Sequence, residues 1–221
     1  VAVHASTLPN VGFEAHTFLH HMLHTRDFGK IVVFLHTAQR PGQLLPINDV
    51  GRILARLHAD TVRAERPDAD APAPNVYLPL TTRYILTGCA PPRGLKDLQR
   101  TFRSLFGSST ACPEMLGTYC CSQFVITRQR LSTVGVHMLQ MAYALVDGSS
   151  GTHSCRPSLD PEPPLRATSG HGITVKNYMA LCKWEASMLE RLWHVIFGEP
   201  AMLDKRRVQS IRAGFGFDSV V

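Results

Sequence analysis

The chain has 221 residues, 44% of them apolar, and a net charge of +6. That length holds one domain with its own core and is too short for two of full size. No apolar run approaches the roughly 20 residues of a membrane helix, and the longest basic run is Lys205-Arg206-Arg207, so a solvated surface fits better than a nucleic-acid partner.

The sequence opens at Val1 with no signal-peptide pattern and is expected to be a portion of a longer chain. A secretory destination would need a signal or anchor upstream. Residues 1–9 read as a strand end and a connecting loop. Asn10-Val11-Gly12 then forms a polar loop, with Asn10 as helix cap and Glu14 in the first turn, where its charge suits the helix dipole. Phe18, Leu19, Met22 and Leu23 recur at helical spacing, and Arg26-Asp27-Phe28-Gly29 supplies a stop. Ile31 to Leu35 is continuously apolar, as expected of a strand covered on both faces. A helix feeding such a strand predicts a single α/β domain with a ligand edge at the strand's carboxyl end, near His36.

His36 to Gly42 is a polar loop, and Asn48 or Asp49 is expected to cap a second helix reaching about Arg66. Residues 67–75 read as a surface linker. Val76 to Leu80 is expected to be an edge strand, because Pro79 cannot donate to a central ladder. Leu95, Leu98, Phe102, Leu105 and Phe106 predict a third helix, followed by a loop over Gly107 to Gly117. Tyr119 to Thr127 is expected as one strand and Ser132 to Leu145 as a helix. Residues 147–172 lack periodicity and read as a flexible insertion. A long helix is expected over Thr174 to Phe197, ending at Gly198. The domain then closes near residue 200, with a peripheral basic tail over 201–221.

Six cysteines stand at 89, 112, 120, 121, 155 and 182. None forms the C-x-x-C pair of a structural zinc site. A Cys89–Cys112 bridge is permitted, whereas the neighbours Cys120 and Cys121 are not expected to bridge each other. They could offer a nucleophile, although small buried cysteines are commoner.

Among the polar side chains, Glu190 and His194 share a helix face four residues apart, so Glu190 could serve as a general base beside an imidazole. A structural Glu–His or Glu–Arg contact would look the same. His16, His20 and His24 form one stripe, and the His16/His20 spacing suits a metal if His36 or His194 supplies a third ligand. Ordinary, partly exposed histidines give the same pattern. Arg128 ends the best strand, and its fixed donors suit a diphosphate or a structural carboxylate alike. Gln123 faces either the site or the sheet.

Three blocks resemble an uncharacterised family known as domain of unknown function 3431. They are Asn10-x-Gly12-x-Glu14-Ala15-His16 with the Val33-Phe34-Leu35-His36 strand, Cys120-Cys121-Ser122-Gln123-Phe124-Val125-Ile126-Thr127-Arg128, and Glu190-x-x-Trp193-His194-x-Ile196-Phe197-Gly198. The family usually has Arg and Tyr where this chain has Phe13 and Phe18, and the 147–172 segment also departs from it.

The loop–helix–strand order is further similar to GT-A-type glycosyltransferases. That resemblance implies a mixed sheet flanked by helices, lacking its first strand here. It also implies a nucleotide-sugar donor, a hydroxyl acceptor, and Mn²⁺ or Mg²⁺ bound by an acidic motif after the strand. His36-Thr37-Ala38-Gln39 supplies no carboxylate there, so His36 or an arginine would have to meet the diphosphate instead. On this reading Asn10, Gly12, Glu14, Gln123 and Arg128 serve the nucleotide, and Glu190 with His194 the chemistry. The alternatives are a histidine-metal hydrolase or oxygenase using His16, His20 and His36, and a non-catalytic recognition domain of a larger assembly.

Overall fold

The computed structural model describes residues 8, 13–25, 28–35, 44–66, 68, 72–89, 96–149 and 183–214. Asn10, Gly12, His36 and most of the 147–172 segment lie outside them, as do Cys155 and Cys182. The described elements form a single α/β domain built from helices and two small sheets.

Helix α1 (Phe13–His24) buries Ala15, His16, Phe18, Leu19 and Met22, the stripe that its three- and four-residue spacing predicts. Helix α2 (Ile47–Ala64) buries Val50, Ile53, Leu57 and Thr61. It starts after Pro46 with no side-chain cap. Asn48 and Asp49, expected as caps, instead fall inside the first turn, where Asp49 pairs with Arg52.

The larger sheet has the order β1-β5-β2, with β1 at Ile31–Phe34, β2 at Tyr77–Pro79 and β5 at Phe124–Thr127. Both pairings are antiparallel. Strand β5 is buried throughout, whereas β1 buries only Phe34 fully. The expectation that β1 is covered on both faces therefore fails: among the described strands it lies at the sheet's edge, and its apolar run fills half-buried positions. Pro79 lies in the other edge strand, where its missing N–H leaves no gap in the ladder. The smaller sheet pairs β3 (Tyr84–Thr87) with β4 (Leu116–Tyr119), again antiparallel. With antiparallel pairs, the carboxyl-edge rule of open parallel sheets does not transfer to β1.

The apolar segment from Tyr119 to Thr127 is not one strand. It breaks at Cys120-Cys121-Ser122, where Cys121 and Ser122 have φ of 77° and 46°. Left-handed backbone cannot continue a ladder, and non-glycine residues seldom adopt it. The helix expected over 132–145 is α5 (Val136–Asp147), and a separate short helix, α4 (Arg128–Ser132), precedes it. Thr127 caps α4 by accepting from Arg130 N, and Gly148, at φ 86°, ends α5.

Helix α3 (Lys96–Phe106) and helix α6 (Lys183–Ile196) pack together, and α6 also meets α1 and α5; the part of the expected long helix before Lys183 lies outside the described residues. The basic segment expected to be peripheral contains α7 (Lys205–Gly214), which buries Val208 and Arg212. Ahead of α7, Gly117 N donates to Ala201 O and Leu203 N donates to Gly117 O, laying residues 201–203 along β4.

Phe124 sits where these layers meet. The centre of its ring lies 5.1 Å from that of Phe34, 5.3 Å from Tyr77, 5.4 Å from Phe197, 5.6 Å from Trp193 and 6.1 Å from Phe18. Disulfides join Cys89 to Cys112, as permitted by the sequence, and Cys120 to Cys121, against the expectation for neighbours.

Candidate functional site

The antiparallel register puts the carboxyl ends of β1 and β2 at the amino end of β5, since Phe34 and Pro79 both face Phe124. The Cys120–Gln123 turn enters β5 at this end of the sheet. Leu80 N donates to Gln123 O at 2.9 Å, and the Thr81 hydroxyl donates to Cys120 O at 2.7 Å. Helix α6 holds the turn from the other side. Glu190 Oε1 accepts from Cys121 N–H, and Trp193 Nε1 donates to Ser122 Oγ at 3.2 Å. These contacts offset the cost of two left-handed non-glycine residues, a backbone state often retained where a fold holds a working geometry.

Glu190 is half-buried, and its second oxygen has no partner among the described residues. Arg212 reaches the same end from α7. Its guanidinium donates to Pro79 O and Thr81 O, both at 2.8 Å, and lies 4.7 Å from the Tyr119 ring centre. Burial draws its pKa down, yet an arginine keeps its proton. The sheet end thus gathers a carboxylate, a buried cation and a disulfide.

The residues expected to form one site are divided. Glu190 and Gln123 lie at this end, with Gln123 buried in the sheet. Arg128 begins α4 at the opposite end of β5, where its N–H donates to Lys30 O. The intervening strand is about 13 Å long at roughly 3.3 Å per residue. His194 is wholly buried; its Nε2 is 3.0 Å from Ala201 O, and desolvation lowers its pKa to about 4. Glu14 is half-buried in the first turn of α1. Asn10, Gly12 and His36 fall outside the described residues.

The histidine stripe forms a separate group facing α5. The Tyr143 hydroxyl is 3.1 Å from His16 Nε2 and 3.4 Å from His20 Nδ1, and the His16 and Tyr143 rings stack at 5.1 Å. Burial, and secondarily His20, lowers the His16 pKa, against a smaller upward pull from Asp147. Among the described residues, no third His, Cys, Asp or Glu joins His16 and His20 within ligand distance. His20 and His24, with His21, also line a cleft of about 400 Å³ against Val32, Val33 and Leu35 of the β1 segment.

The model of the family described as protein of unknown function (DUF3431) matches residues 2–146. The chain belongs to this family. Within the DUF3431 match lie α1, both sheets and the disulfide turn; Glu190, Trp193 and Arg212 come from residues beyond it. No curated protein and no solved structure matches the chain.

Sequence reasoning singled out Glu190 and Gln123 but missed two features of this end. Arg212 gave no signal, because its α7 segment is strongly polar. The Cys120–Cys121 bridge was discounted on the strain of joining neighbours, which the left-handed turn accommodates.

Proposed function

We propose that the protein is a glycosyltransferase-like domain that moves a sugar from a nucleotide-sugar to a hydroxyl acceptor at the sheet end where β5 begins. The observation that carries this reading is Glu190, whose carboxylate is fixed through one oxygen by Cys121 N–H while the other has no partner among the described residues. In an inverting transfer, the acceptor hydroxyl gives its proton to that carboxylate as its oxygen attacks the anomeric carbon. The bond from that carbon to the nucleoside diphosphate breaks, and the diphosphate leaves with the electron pair. Positive charge behind the leaving group favours this step. Arg212 takes that role from Arg128, which stands at the far end of β5. The residues that follow Leu35, His36-Thr37-Ala38-Gln39, offer no carboxylate to a hard cation such as Mn²⁺ or Mg²⁺.

A GT-A-like architecture belongs to the same proposal. One edge of β1 is unpaired among the described strands, and a further strand laid parallel along it would make the sheet mixed. The histidine-metal alternative has less support, since His16 and His20 both direct a ring nitrogen to the Tyr143 hydroxyl.

Thermal-shift titration with a panel of nucleotide-sugars, with and without Mn²⁺, tests the reading. At least one donor is expected to raise Tm. Glu190→Gln keeps an acceptor for Cys121 N–H, so it should retain that shift while transfer falls at least about 100-fold. No shift from any donor would sink the proposal and favour a non-catalytic recognition domain.

A further inference from the structure

The Cys120–Cys121 pair and Glu190 bring two sulfurs and a carboxylate oxygen within 4.8 Å of one another. The sulfurs are already joined, so after reduction they begin on the same side of the turn, and little backbone movement is needed for both to face one cation. The turn is anchored to α6 by the bonds from Cys121 N–H to Glu190 and from Trp193 to Ser122. Cys120 is buried while Cys121 and Glu190 are half-buried, which leaves an approach from solvent.

We propose that Cys120, Cys121 and Glu190 form a redox-gated site for a thiophilic divalent cation of the Zn²⁺ class, closed in the disulfide form and opened by a dithiol reductant. The reductant's two thiols give two electrons and two protons to the Cys120–Cys121 bond and become a disulfide themselves. The cation then displaces both protons, leaving two thiolates and one carboxylate as ligands. Two sulfurs and one oxygen satisfy three positions of a tetrahedral Zn²⁺ and leave the fourth open. Hard cations such as Mg²⁺ are selected against by the sulfurs. The site does not depend on the sugar-transfer reading, although loading it would withdraw Glu190 from proton transfer.

Cd²⁺ serves as the probe, on the whole chain before and after anaerobic reduction with a phosphine. Thiolate-to-cadmium absorption gives the stoichiometry, and alkylation with peptide mass mapping identifies the protected thiols. In the oxidised chain Cys120 and Cys121 should resist alkylation whether or not Cd²⁺ is added. In the reduced chain Cd²⁺ should slow alkylation of Cys120 and Cys121 at least about tenfold, apart from any effect at the freed Cys89 and Cys112 thiols, and excess Zn²⁺ should displace it. Glu190→Gln should keep the band and weaken binding at least about tenfold, since even a partner that only orients a ligand contributes that much. Equal alkylation of Cys120 and Cys121 with and without Cd²⁺ would overturn the proposal. So would unaltered affinity in Glu190→Gln.

Discussion

The His194 imidazole is closed off from solvent, with Nε2 bonded to Ala201 O, and lost hydration outweighs that bond in lowering its pKa to about 4. An unfolded histidine titrates near 6.5. Between those values the unfolded chain takes a proton that the folded chain refuses, so stability declines as pH falls from about 6.5 to about 4. The full effect is about 3 kcal/mol at 1.36 kcal/mol per pH unit. Urea midpoints at pH 7, 6 and 5 should fall steadily in the native chain and more shallowly in His194→Gln, which keeps a donor for Ala201 O. Parallel slopes would assign the acid sensitivity elsewhere. The i, i+4 relation between Glu190 and His194 was visible in the sequence, but their separate roles were not. Helical spacing places two residues on one face without saying which of them meets a core and which a turn.

At the scale of elements, the close approach at Gly117 decides how α7 joins the domain. A Cβ there would come within 2.0 Å of Tyr84 Oη and 2.9 Å of Met202 Cε. Tyr84 donates from that hydroxyl to Leu203 O at 2.8 Å. Gly117→Ala should therefore push Tyr84 off Leu203 and loosen the 201–203 segment, costing about 1–3 kcal/mol as overpacking does. Faster amide exchange at Leu203 N, with β5 still protected, is the expected signature; unchanged exchange would show that Tyr84 yields without consequence. Helices α1 and α2 were legible because their apolar residues repeat at helical spacing. The division of Tyr119–Thr127 was not. Its break uses Cys121 and Ser122 in a conformation normally left to glycine, and β-prone residues flank it on both sides. Helix α7 was hidden because only Val208 and Arg212 of its ten residues are buried.

Across the whole molecule, Phe124 touches rings from α1, β1, β2 and α6, so one side chain joins sequence blocks that lie far apart. Phe124→Ala should lower unfolding free energy by about 3–5 kcal/mol, with an unchanged urea m-value if folding stays two-state. A loss below about 1 kcal/mol would mean that the surrounding rings collapse into the space. The α/β class and much of the core were readable from sequence, because burial follows local periodicity. The antiparallel order β1-β5-β2 was not, because pairing partners are chosen by packing at long range. Phe34 and Phe124 pair across some 90 residues. A ribosome adding roughly 5–20 residues per second takes about 5–20 s to cover that distance. Throughout that interval Ile31-Val32-Val33-Phe34 has no β5 to pair with, and the nascent chain carries an apolar strand whose backbone partner has not yet been made.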